Sequence, residues 1–159
     1  MGLFYLVWFW NTVRHNQQKI KLMKNLMLIA CLFILGLTKA NAQVKFETFD
    51  WNALTEKAAK ENKLIMVDMT ATWCYWCKQM DKKVFPDKAV GEFYNSNFIS
   101  TKLYDTDAMG KEFAQKYKVQ GFPCFLFLDS EGKLVHRIDG AIVNSKDFIA
   151  EGQSIKKKK

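Results

Sequence analysis

The sequence lacks most of the features that mark metal, haem, nucleic-acid and membrane proteins. No second C-x-x-C pair stands beside the one at Cys74 and Cys77, and Lys78 occupies the position where a haem-attachment motif needs histidine. A zinc site could be imagined from Cys74, Cys77, Cys124 and His136, or a cluster shared between two chains, but His136 has no ligand spacing to any of them. The expectation is no metal. Internal repeats and low-complexity linkers are also missing, so 159 residues read as one domain. Positive charge is scarcer than the formal +8 suggests, because all 16 acidic residues lie after Ala42. From Gln43 onward 19 basic residues face those 16 acidic ones, and four of the 19 are Lys156 to Lys159. A nucleic-acid footprint is not supported. The terminal lysines read as a solvated tail, with contact to anionic lipid or an acidic partner as the alternative.

What is present begins with an address. Lys24-Asn25 precedes an apolar run, Leu26–Leu37, and Ala40-Asn41-Ala42 follows it. A basic region, a run of about twelve apolar residues and an A-x-A site read as a secretory signal peptide, since the run is too short for an ordinary membrane span. Met23 is well placed as the initiator, with Leu3 to Trp10 as an additional apolar segment in the alternative. Cleavage after Ala42 would release a soluble, extracytoplasmic domain starting near Gln43. Leu28-Ile29-Ala30-Cys31 has the shape of a lipoprotein-processing site, but the apolar run continues six residues past Cys31, where a lipid-anchored chain should turn polar.

The chemistry centres on Thr72-Trp73-Cys74-Tyr75-Trp76-Cys77-Lys78. Two cysteines three residues apart at the start of a helix share one face and can close and reopen a small disulfide ring. The first would sit where free backbone N–H groups and the helix dipole stabilise a thiolate. The near-continuous apolar run Leu64–Met69 predicts a buried central strand entering the motif, and an amphipathic segment to about Val84 leaves it. Around this unit the pattern predicts a short edge strand within Val44–Phe49 and a helix over Trp51–Asn62 capped by Asp50. A helix over Lys88–Tyr94, a strand over Phe98–Tyr104 and a helix over Asp107–Tyr117 follow. Strands Cys124–Leu128 and Leu134–Ile138 flank a turn at Asp129–Lys133, and a last helix ends at Ile155. The order βαβαβ, then ββ, then α predicts an α/β fold with a mixed sheet covered by helices on both faces.

These residues resemble the thioredoxin superfamily over nearly all of Phe46 to Ile155, and the leader makes the resemblance closest to its exported, periplasmic thiol–disulfide oxidoreductases. Trp73-Cys74-x-x-Cys77-Lys78, Asp68 six residues before Cys74, Lys102 on the neighbouring strand, Val119-Gln120-Gly121-Phe122-Pro123 and Gly140 all match the family's pattern. The resemblance implies a thioredoxin-like fold over residues 43–155, with 1–42 as leader and 156–159 as tail. It implies thiol–disulfide exchange: an exposed Cys74 attacks, a more buried Cys77 resolves, Asp68 assisted by Lys102 accepts the proton, and a cis Pro123 holds substrate beside the pair. Trp73, Tyr75, Trp76 and Phe122 would bind substrate, and no cofactor beyond the cysteine pair is implied. Three departures stand out: Tyr75-Trp76 replaces Gly-Pro, Phe122 precedes the proline, and Cys124 replaces the usual threonine.

Cys124 reads as a small buried hydrophobe, or as a third thiol able to trap the pair. The cysteine pair itself could be a static disulfide, and the whole domain a binding or chaperone-like module that uses its aromatic rim. Within the redox class, reductase is favoured over oxidase or isomerase. A monomer acting on protein thiols and disulfides is expected, fed by a membrane thiol–disulfide interchange protein.

Overall fold

The computed structural model describes residues 43–157. The expected leader and cleavage site, Cys31 and Lys158–Lys159 lie outside the described residues. Five strands form one sheet in the order β1-β3-β2-β4-β5: β1 Phe46–Glu47, β2 Leu64–Thr70, β3 Phe98–Tyr104, β4 Cys124–Leu128 and β5 Leu134–Asp139. The first three run parallel, while β4 is antiparallel to β2 and β5 to β4. Helices α1 Trp51–Glu61, α2 Tyr75–Lys83, α3 Lys88–Asn97, α4 Ala108–Lys116 and α5 Ser145–Lys156 connect and cover them.

Every residue of β2 is buried, as its position at the sheet centre requires. Its side chains alternate between two apolar layers. Leu64 and Met66 face Met80 and Val84 of the α2 segment, Val90 and Tyr94 of α3, and Phe148 and Ile155 of α5. Ile65, Val67 and Met69 face Leu54 and Ala58 of α1 and Phe113 of α4. By this period-two alternation Asp68 belongs to the first face. Lys102 is its register partner on β3 and Phe125 on β4.

Three of the helix starts carry an Asp or Asn side-chain cap. Asp50 accepts from Ala53 N, Asp87 from Ala89 and Val90 N, and Asn144 from Lys146 and Asp147 N. Boundaries differ from the sequence expectation where backbone groups find other partners. The predicted Val44–Phe49 strand shrinks to two residues because Val44 N bonds Phe85 O and Lys45 N bonds Asn95 Oδ1. Helix α3 extends past Tyr94, with Ser96 and Asn97 bonding back to Glu92 and Phe93 carbonyls. Helix α5 takes in Lys156, so the expected tail boundary after Ile155 moves.

Gly110 lets α4 lie against the end of β3, because a Cβ there would overlap the Tyr104 carbonyl. Gly110→Ala is expected to lower the unfolding free energy by about 1–3 kcal/mol in urea titrations. An unchanged midpoint would mean that α4 can shift from the sheet at no cost.

Candidate active site

Strand β2 ends at Thr70, and the chain turns through Ala71 to Trp73 before α2 starts. Cys74 is the N-cap of α2 in extended backbone conformation, and its Sγ accepts from Cys77 N at 3.0 Å. The Cys74 N–H in turn bonds Ala71 O at 3.1 Å. The two cysteines are joined as a disulfide, with Cα atoms 5.3 Å apart. One helical turn thus puts both sulfurs at the positive end of α2.

The expected contrast between an exposed Cys74 and a more buried Cys77 is corrected by the structure. Both are 4% exposed and pack with Ala71 and Phe122. The exposed groups are the aromatic residues beside them, Trp73 at 69%, Tyr75 at 63% and Trp76 at 54%. Tyr75 and Trp76 make an edge-to-face pair at 5.2 Å, and Trp73 does so with Phe122 at 6.0 Å. Trp73 is further fixed by its Nε1–H, which donates to Asp105 Oδ2 at 3.0 Å. Asp105 N bonds Thr70 O, tying this support to the end of β2.

The Phe122–Pro123 peptide bond is cis. The Pro123 carbonyl accepts from Gly140 N at 2.9 Å, and Gly140 has φ +96°, a conformation that L side chains rarely adopt. Cys124 is fully buried, pairs in register with Met69 and Asp139, and packs among the residues that face α1 and α4. Burial pushes its thiol up to about 12. Arg137 and Asp139 beside it form an ion pair, and Arg137 Nη1 also donates to Tyr117 O.

On β2, Asp68 is buried with its side chain 3% exposed. Lys102 Nζ lies 3.3 Å from Asp68 Oδ2. Desolvation raises the Asp68 carboxyl to about 6 even though the lysine pulls the other way. For Lys102, burial disfavours the charge, but Asp68 and Asp81 together outweigh it and hold the ammonium above its ordinary value. Asp81 was not anticipated from the sequence. It hydrogen-bonds Lys102 from α2, and its place four residues after Cys77, on one helix face, was the available signal. His136 instead pairs with Glu151 at 2.9 Å. A cavity of about 470 Å³ lies at the opposite end of β2 and β3, lined by Lys63, Leu64, Asn97 and Phe98.

Comparison with known proteins places this geometry. Residues 51–156 match a family model described as a thioredoxin-like domain. The chain is 30% identical over 109 residues to the thiol:disulfide interchange protein DsbD of Pseudoalteromonas atlantica, covering 67% of this chain but only 18% of that one. It is 35% identical over 101 residues to thioredoxin H5 of Arabidopsis thaliana, covering 64% and 77% of the two chains. The solution structure of a proposed disulphide-isomerase from Bacteroides thetaiotaomicron aligns with TM-score 0.64 at 31% identity, over 73% of this chain and 96% of that one.

The Asp68 shift makes stability depend on pH. Its carboxyl is raised from 3.8 to about 6, so the native state binds more protons than the unfolded state between those values. The contribution to stability is fully present below the unfolded value and lost as pH rises through about 6. At about 1.4 kcal/mol per pH unit, ionising Asp68 costs the oxidised protein about 3 kcal/mol near pH 8. Asp68→Asn is expected to recover that amount in urea titrations near pH 8 and to lose its advantage below about pH 4. Parallel stability curves for the two proteins would mean that burial does not perturb this carboxyl.

Proposed function

The chain belongs to the thioredoxin-like domain family, and from that premise we propose that it is a protein-disulfide oxidoreductase, working as a reductase outside the cytoplasm. The observation that carries the reading is the Cys74–Cys77 disulfide at the start of α2, flanked by exposed aromatic rings, on a strand–helix unit whose strand β2 holds a buried Asp68 paired with Lys102. In the reduced protein, Cys74 thiolate attacks one sulfur of a substrate disulfide. A Cys74–substrate bond forms and the other substrate sulfur leaves as thiolate. Cys77 gives its proton to Asp68 through an intervening water, and its thiolate attacks Cys74 Sγ. That step closes the internal disulfide and frees the second substrate sulfur, so two electrons have passed to the substrate.

Trp73, Tyr75, Trp76 and Phe122 present apolar area at low entropic cost to extended or unfolded substrate segments. Pro123 holds such a segment beside Cys74. The likeness of Trp73-Cys74-x-x-Cys77-Lys78 and Asp68 to reducing thioredoxins supports the direction. The leader-like residues before Gln43 support the location. Reduction there needs two electrons per turnover, for which a membrane thiol–disulfide interchange protein is the proposed donor. A binding module without redox chemistry is the second reading, favoured by the exposure of Trp73, Tyr75 and Trp76.

Equilibration with glutathione buffers, read by alkylation and tryptophan fluorescence, tests the direction. A potential at or below about −240 mV is expected, whereas about −120 to −180 mV would make the protein an oxidase or isomerase. Cys74→Ser should abolish disulfide reduction; retained function in that variant would favour the binding module. Trp76→Ala should raise KM for a protein disulfide about tenfold, the loss of about 1.4 kcal/mol of docking energy, with little change for a small-molecule disulfide.

A further inference from the structure

Lys102 is the cation of the site, and its ammonium has two acidic partners. Asp68 approaches from β2 at 3.3 Å, and Asp81 hydrogen-bonds it from α2. Two rings also lie against it: Nζ is 4.7 Å from the centroid of Phe46 on β1 and 5.2 Å from that of Phe85 after α2. Those rings meet edge-to-face at 5.0 Å, and Lys102 is left with a side-chain exposure of 16%. Aromatic faces attract a cation but accept no strong hydrogen bond, so ionic pairing is confined to the two carboxylates. Asp68 is in the opposite position. Among the described residues its only ionic partner is the shared lysine, its Oδ1 has no protein hydrogen-bond partner, and its register neighbour on β4 is Phe125. Asp81 is 44% exposed, where solvent supports its charge.

We propose that Asp81 is a positioning residue for the dithiol chemistry: by claiming part of the Lys102 ammonium, it weakens the hold of that cation on the Asp68 carboxylate and leaves Asp68 readier to take up a proton. The physical reason is a competition at short range. A carboxylate in a desolvated layer holds its charge in proportion to the cation it can pair with. An ammonium divided between two carboxylates neutralises each of them less than it would neutralise one. The negative charge of Asp81 adds repulsion in the same direction. Asp68 is thereby left able to take up a proton and release it again. The catalytic consequence rests on the reading that Asp68 accepts the Cys77 proton.

The test is a carbon-13 NMR titration of labelled aspartate carboxyls in the oxidised protein, in which Cys74 and Cys77 are bonded and do not titrate. Asp81→Asn is expected to move the Asp68 midpoint down by about one pH unit, and Asp81→Glu to keep it near the wild-type position. Lys102→Met should move it up. An Asp68 midpoint unchanged in Asp81→Asn, or unmoved in Lys102→Met, would overturn the proposal. The pH dependence of insulin disulfide reduction separates the two readings. If the acid limb of the rate follows the Asp68 midpoint down in Asp81→Asn, the catalytic consequence holds. If the midpoint moves and the limb does not, charge sharing stands and the role of Asp68 as proton acceptor falls.

Discussion

The parallel register of β2 and β3 is the constraint on which the site depends. It sets Asp68 directly beside Lys102 on the face of the sheet that carries a layer of aliphatic and aromatic side chains. A lone carboxylate in that layer would be costly. Adjacent in register, Lys102 offsets part of that cost, and the compensation is incomplete. Desolvation still outweighs the lysine at Asp68, which leaves its carboxyl raised to about 6. A stronger pairing would make a more stable protein with a permanently ionised carboxylate.

The same strand delivers the dithiol. Where β2 ends, the chain makes a tight turn and starts α2 with Cys74 as its cap. The sulfurs therefore sit at a helix N-terminus, a short turn after the strand that buries the carboxylate. The surrounding scaffold holds the flanks in place. Asp105, at the end of β3, anchors Trp73, and Gly140, after β5, anchors the Pro123 carbonyl. Three strand ends and one helix start thus converge, and the aromatic side chains they carry project outward while both cysteines stay covered.

Much of this was legible in the chain. The spacing of Cys74 and Cys77, the apolar run of β2 interrupted by Asp68, and the order of strands and helices are local patterns, and each describes a single segment. What escaped depends on two segments meeting. Asp81 gains its role only because α2 packs across β3, which brings a helix-surface carboxylate onto a strand lysine. Cys74 is buried in a cluster with Ala71 and Cys77 against which Phe122, 48 residues away from Cys74, is packed. Cys124 is next to Pro123 in sequence, yet β4 turns it toward the layer of α1 and α4. The strand around Phe46 is shortened because Val44 and Lys45 find backbone partners outside the sheet.

By itself, the sequence determined which segments are strand and helix, which family the fold follows, and where the reactive pair lies. Periodicity, capping residues and cysteine spacing act over a few bonds and need no knowledge of the rest of the chain. The tertiary structure alone decided how exposed each sulfur is, which carboxylates share Lys102, and in which layer the third thiol is enclosed. Desolvation and charge pairing depend on every group within a few ångströms, whatever its distance along the chain, so they exist only once the sheet and its helices have closed.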